Sequence, residues 1–183
     1  MLRWNRRLAP IAAAALLAGL LAACSTEASP TVTPTLSEPS PTSEKVALNC
    51  NLLLSDRDAA ASTPPLHPIP TFVPPSGTLP SLLVEHGGQP CGWGVDSSAS
   101  LQVILAIPFA SEFTAAKAAA ASGQAIDVPQ VDAAYFEISD GMGQVQVFFG
   151  SYWIDIASPA FTTPDRAVSM STLVVRNLRS AGG

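Results

Sequence analysis

The clearest alternation of apolar and polar residues runs from about residue 132 to residue 157. Two dipeptides typical of tight hairpin turns, Asp140-Gly141 and Gly150-Ser151, divide it into three segments. Because strand side chains alternate between two faces, a two-residue turn at Gly150-Ser151 places Phe149 opposite Tyr152. This register predicts a three-stranded meander whose core face carries Ala134, Phe136, Ile138, Val145, Val147, Phe149, Tyr152, Ile154 and Ile156.

The opposite face of the meander is polar, with two aromatic residues side by side at its tip. The same register assigns to it Gln144, Gln146, Phe148, Trp153 and Asp155, joined by Tyr135 and Glu137 from the preceding strand. Aromatic planes beside amide and carboxylate groups suit a sugar or a peptide ligand. We therefore predict a candidate ligand surface formed by Phe148, Trp153, Tyr135, Gln146 and Asp155.

A proline-rich segment offers an alternative to exposure of the aromatic pair. Seven prolines between Pro64 and Pro80 predict a long loop, because proline lacks a backbone donor and cannot occupy a central strand. The loop also carries Leu66, Ile69, Phe72 and Val73, which are too apolar for a free linker. We expect it to press against the domain, where Phe72 and Val73 could cover the two rings.

Other patterns predict one more strand and three helices. Residues 101–107 alternate in the manner of a strand that ends at Pro108, and Ser111 to Ser122 is an alanine-rich helix closed by Gly123. Ser55 is a typical cap for a short helix. Thr163 and Pro164 predict the start of a last helix that extends to Arg179, with a buried stripe of Ala167, Val168, Ser171, Val174, Val175 and Leu178.

With a further strand through Cys91 and Trp93, these elements predict an α+β domain with an antiparallel sheet of about five strands and helices packed mainly on one face. The second face would then be partly bare. Either the proline-rich loop or a partner would cover it.

The N-terminus has the layout of a secretory signal peptide. Arg3, Arg6 and Arg7 precede the apolar run from Ile11 to Leu21, which is too short to span a bilayer. Cys24 directly follows Leu-Ala-Ala, as in a lipobox, so we expect cleavage after residue 23 and lipidation of Cys24. The alternative is an ordinary cleavage site with an incidental cysteine.

Residues 24–44 read as a lipidated cysteine and a disordered tether, because the stretch is rich in Pro, Ser and Thr and cannot form a core. Residues 45–183 are expected to form a single extracytoplasmic domain. The precursor has 9 basic and 14 acidic side chains, and loss of the three signal arginines leaves 6 against 14. This acidic balance argues against nucleic-acid binding and leaves the N-terminal lipid as the expected membrane contact.

Cys50 and Cys91 remain as an even pair in an exported domain, which predicts a disulfide bond. A catalytic thiol and a metal pair are the alternatives, although no C-x-x-C or H-x-x-x-H spacing supports a metal site. Trp93 shares a strand face with Cys91 and is expected to pack beside the bridge.

These features together resemble the small cell-surface lipoproteins of actinobacteria. Such proteins have a cysteine ahead of Leu-Leu, here Cys50, and a Gly-Gly segment that leads to Cys91-x-Trp93, followed by an antiparallel sheet and a closing helix. The resemblance covers most of the mature domain. It implies a fold and a location on the outer face of the cell membrane rather than an activity.

The sequence has few candidate catalytic groups. Nucleophilic catalysis needs a base close to a serine or cysteine, whereas His67 and His86 both lie in irregular segments and no Gly-x-Ser-x-Gly motif is present. We therefore expect no enzyme activity, cofactor or metal, and interpret the domain as a non-catalytic binding module. Cell-wall polysaccharide, a peptide or an envelope protein are candidate partners. The alternative is an envelope scaffold or an accessory subunit of a membrane complex.

Overall fold

The computed structural model describes residues 43–182. The predicted signal peptide, the lipidation site Cys24 and the tether as far as residue 42 lie outside the described residues. Near the start of the described residues, Glu44 forms an isolated antiparallel β-bridge with Ile107. None of the helices within residues 43–182 is both long and apolar enough to cross a membrane.

Within residues 43–182 the chain forms four α-helices and a seven-stranded antiparallel sheet. A 3₁₀ turn at Cys50–Leu52 comes first. The elements that follow are α1 Asp56–Ala60, β1 His67–Pro68, α2 Leu79–Glu85, β2 Gln89–Gly94, β3 Leu101–Ala106, α3 Ala110–Ala120, β4 Gln124–Ala125, β5 Ala133–Ser139, β6 Met142–Phe149, β7 Tyr152–Ser158 and α4 Pro164–Ser180. The strand order is β1-β2-β3-β7-β6-β5-β4. The α+β class is confirmed, and the expected five strands become seven because two-residue strands flank the sheet.

The predicted register of the β5–β6–β7 meander is confirmed. Phe149 pairs with Tyr152 across a two-residue turn in which Gly150 has a φ of 57°. Asp140 and Gly141 also form a two-residue turn, and both have positive φ, at 52° and 78°. Both turns thus use the backbone region in which glycine and aspartate are best tolerated.

The first face of the sheet forms the larger core with α4 and the residues around α1. The predicted α4 stripe is confirmed at Ala167, Ser171, Val174, Val175 and Leu178, all buried. Val168 at the edge of the stripe is half-buried. Thr163 precedes α4 as expected, but its side chain makes no capping hydrogen bond.

The predicted disulfide joins Cys50 and Cys91, whose Cα atoms lie 5.5 Å apart. Trp93 is fully buried in the same core cluster as Cys91, as their shared strand face predicts. The bridge therefore ties the 3₁₀ turn to β2.

The expectation that helices lie mainly on one face is only roughly matched, because α2 and α3 pack against the second face. Leu83 of α2 and Ala120 of α3 belong to a buried cluster that includes Ile104, Phe148 and Trp153 of the sheet. The proline-rich loop ends earlier than predicted. Thr78 caps α2, accepting a hydrogen bond from the Ser81 amide, and Pro80 lies in the first turn, where proline is tolerated.

Candidate functional site

The second face of the sheet consists of three cross-strand rows that change from polar to apolar along the strands. The pairings of β3, β7, β6 and β5 define them. The polar row is Gln102, Ala157, Gln144 and Glu137; the middle row is Ile104, Asp155, Gln146 and Tyr135; and the apolar row is Ala106, Trp153, Phe148 and Ala133.

The apolar row is covered, so of the two alternatives for the aromatic pair the buried one is observed, and the candidate ligand surface loses Phe148 and Trp153. Phe148 is 0% and Trp153 5% exposed, with their ring centroids 6.0 Å apart and their planes nearly parallel. Phe113 of α3 packs edge-on against Phe148 at 5.4 Å. Because α2 and α3 supply the cover, these two rings are core residues and cannot contact a ligand at the surface.

The proline-rich loop contributes less to the cover than predicted. Phe72 packs against the same cluster, and it can approach because Gly92 beneath it has no side chain: a Cβ there would meet the Phe72 ring at 2.5 Å. Val73 instead remains 79% exposed.

Asp155 in the middle row is a fully buried carboxyl group. Gln144 donates a hydrogen bond from Nε2 to Asp155 Oδ1 at 2.6 Å, while Asp155 Oδ2 has no hydrogen-bond partner among the described residues. Burial raises the pKa of Asp155 from its usual value of 3.8 to about 7; the hydrogen bond from Gln144 opposes this shift and the nearby charge of Glu137 adds to it. Asp155 is therefore only partly ionised at neutral pH.

The other members of the predicted surface lie in the same middle row. Gln146 is 8% exposed. Tyr135 is half-buried, and its ring meets that of Phe148 edge-on at 6.3 Å. Of the predicted surface, Tyr135 alone is accessible enough to reach solvent.

The polar row opens into a cleft of about 280 Å³, which we call the polar cleft. Its floor contains Gln102, Gln144 and Glu137, and its wall is the start of α2 with the residues before it. The full lining is Pro75, Gly77, Thr78, Leu79, Pro80, Gln102, Glu137, Ser139, Asp140, Met142, Gln144 and Ala157. Lys, Arg and His do not occur among these residues.

The sequence pattern predicts the face of the sheet on which some of the cleft residues lie. Gln144 and Glu137 follow from the register of the meander, whereas Gln102 and the wall were missed. The alternation in residues 101–107 could have placed Gln102 on the second face, and Thr78 with Ser81 three residues later is a recognisable capping signal.

Two other features of the described residues bear on whether a second site is present. His86 Nδ1 lies 3.5 Å from Glu112 Oε2, a polar contact between the end of α2 and α3. Within residues 43–182, no group of three His, Cys, Asp or Glu side chains lies close enough together to hold a metal ion. Comparison of the chain with protein-family models, curated proteins and solved structures found no match.

Proposed function

We propose that this chain is an exported lipoprotein, anchored through Cys24 to the outer face of the cell membrane, that displays a non-catalytic binding domain. The observation that carries the binding function is the polar cleft, in which amide and carboxylate groups line one open end of an otherwise covered sheet face. Gln102, Glu137 and Gln144 lie on three strands of the sheet, and groups carried by strands are better positioned than groups carried by loops. The export and anchoring rest on the N-terminal sequence.

The arrangement of reactive groups supports a binding role over catalysis. Cys50 and Cys91 are joined to each other and leave no free thiol in the domain. Asp155, which has a strongly raised pKa, is fully buried and cannot touch a substrate. His86 pairs with Glu112 outside the polar cleft. The residues that line the cleft therefore include no thiol or imidazole group, the side chains that most often serve as nucleophile and base in covalent catalysis.

Site-specific crosslinking in cells that make the full chain tests the proposal. A photoreactive benzophenone residue at Ser139, which is exposed on β5 and lines the cleft, should give a discrete adduct with an envelope component. The same residue at Asp127, which is exposed but does not line the cleft, is the matched control. An adduct of equal yield from both positions, or none from either, would refute a binding role for the cleft. Membrane fractionation of the same cells tests the anchor.

A further inference from the structure

The polar cleft carries negative charge without compensating basic groups. Glu137 and Asp140 line the cleft, and Asp155 lies in the adjacent middle row on the same sheet face. Among the described residues that line the cleft there is no Lys, Arg or His. Coulomb attraction in this setting favours a cation and disfavours phosphate, sulfate or carboxylate ligands.

The hydrogen bond to Asp155 fixes what Gln144 offers to a ligand. Because the Gln144 Nε2 group donates to Asp155 Oδ1, its carbonyl oxygen remains as an acceptor in the cleft lining. The second oxygen of Asp155 is buried without a partner, and a positive charge at Gln144 would lower the cost of ionising this carboxyl group. Both features call for a ligand that donates hydrogen bonds and carries positive charge.

The donor set suits an organic cation better than a metal ion. Ca²⁺ takes six to eight oxygen ligands, usually including several carboxylates. Within residues 43–182, by contrast, no metal-binding group of three acidic, His or Cys side chains exists. A volume of about 280 Å³ is at the lower limit for a small-molecule pocket, so it fits the end of an amine-bearing chain rather than a large ligand.

We propose that the polar cleft binds a primary ammonium group, with Glu137 as its counter-ion and the Gln144 carbonyl, positioned by Asp155, as a hydrogen-bond acceptor. This inference rests on the proposed binding function and names its ligand class. A lysine side chain and an amino sugar share this chemistry.

NMR titration of the isotopically labelled full chain in lipid nanodiscs tests the proposal. Nα-acetyl-lysine-N-methylamide and glucosamine are the two cationic probes, and the analogue of the lysine compound with a hydroxyl in place of the ammonium group gives a neutral partner of nearly the same shape. We expect saturable shifts of the Gln144 and Gln102 side-chain amide signals with at least one cationic probe. The probe that binds identifies the source of the amine, and the neutral compound should bind at least tenfold more weakly.

Two carboxylate-to-amide variants make the assignment specific. Glu137→Gln should weaken binding of the cationic probe at least tenfold, whereas Asp127→Asn, the same charge change at an exposed site outside the cleft, should leave it unchanged. The melting temperatures of both variants establish that they are folded. Equal binding of the neutral compound, no binding of either cationic probe, or equal weakening by both variants would overturn the proposal. Tighter binding of CaCl₂ at the same signals would overturn it in favour of a metal.

The two proposals can fail separately. If benzophenone at Ser139 gives its specific adduct while no amine binds, the ligand class is wrong and the binding function stands. If neither experiment gives a signal at the cleft, both proposals fall.

Discussion

Replacement of Asp155 by asparagine should remove a pH-dependent loss of stability. Asp155 is fully buried, and its pKa in the folded chain is about 7, well above its usual value of 3.8. Asparagine has nearly the same shape and can still accept the hydrogen bond from Gln144 at the same position. It therefore mimics the neutral acid over the whole pH range.

The sign of the effect follows from proton binding. Between about pH 4 and pH 7 the folded chain holds a proton on Asp155 that the unfolded chain has released, so stability falls as the pH rises. Above about pH 7 both states are ionised and the effect levels off. The difference between the two pKa values corresponds to about 4 kcal/mol of destabilisation at pH 8.5 relative to pH 4.

Urea titrations followed by tryptophan fluorescence, with the disulfide intact, measure this effect. We expect Asp155→Asn to match the original chain within about 1 kcal/mol near pH 4 and to exceed it by up to about 4 kcal/mol at pH 8.5. The control Asp127→Asn should follow the pH dependence of the original chain. Because each variant is compared with the original chain, the contributions of the unchanged carboxyl groups cancel. Parallel curves for Asp155→Asn and the original chain would refute the assignment of a raised pKa to this carboxyl group.

Four further outcomes can be measured. Cys24→Ala should leave uncleaved, unlipidated precursor, and labelling of this variant by a palmitate analogue would contradict the lipobox. Mass spectrometry without reductant should detect no free thiol at Cys50 or Cys91, and reduction should lower the free energy of unfolding by up to about 4 kcal/mol; a free pair would contradict the bridge. Trp153→Ala should cost roughly 3 to 5 kcal/mol in a urea titration, and a loss below about 1 kcal/mol would contradict its burial. Gly143→Ala should cost about 1 to 3 kcal/mol or more because its Cβ would overlap the carbonyl oxygen of Phe161, and an unchanged urea midpoint would contradict that contact.

The meander could be predicted from the sequence because local signals determine it. Asp140-Gly141 and Gly150-Ser151 fix the turns, and the period of two then assigns every side chain of β5, β6 and β7 to a face. A shift of one residue would have moved the whole apolar set, including Val145, to the other face. The turn positions and the alternation of apolar residues therefore specify the same register.

What covers each face could not be predicted in the same way. Strand parity shows which residues share a face, but it does not show which helix packs against them. α2 was not predicted because the prolines up to Pro80 are typical of an extended loop. β1 and β4 were not predicted because each has two residues, too few to show a periodic pattern. Asp155 was placed on the correct face, yet its burial depends on neighbours that lie far away in the sequence.

The length of α2 explains why one end of this face is closed and the other open. Seven helical residues span about 10 Å, whereas three rows of alternate strand residues extend about 13 Å. Leu83, near the end of α2, packs in the apolar cluster with Ala106, while Thr78 and Leu79 at its start already line the polar cleft. The first residues of the helix therefore lie beside the polar row, and its later residues cover the apolar row. Hydrophobic burial is complete over Phe148 and Trp153, and the amide and carboxylate groups beyond them remain within reach of a ligand.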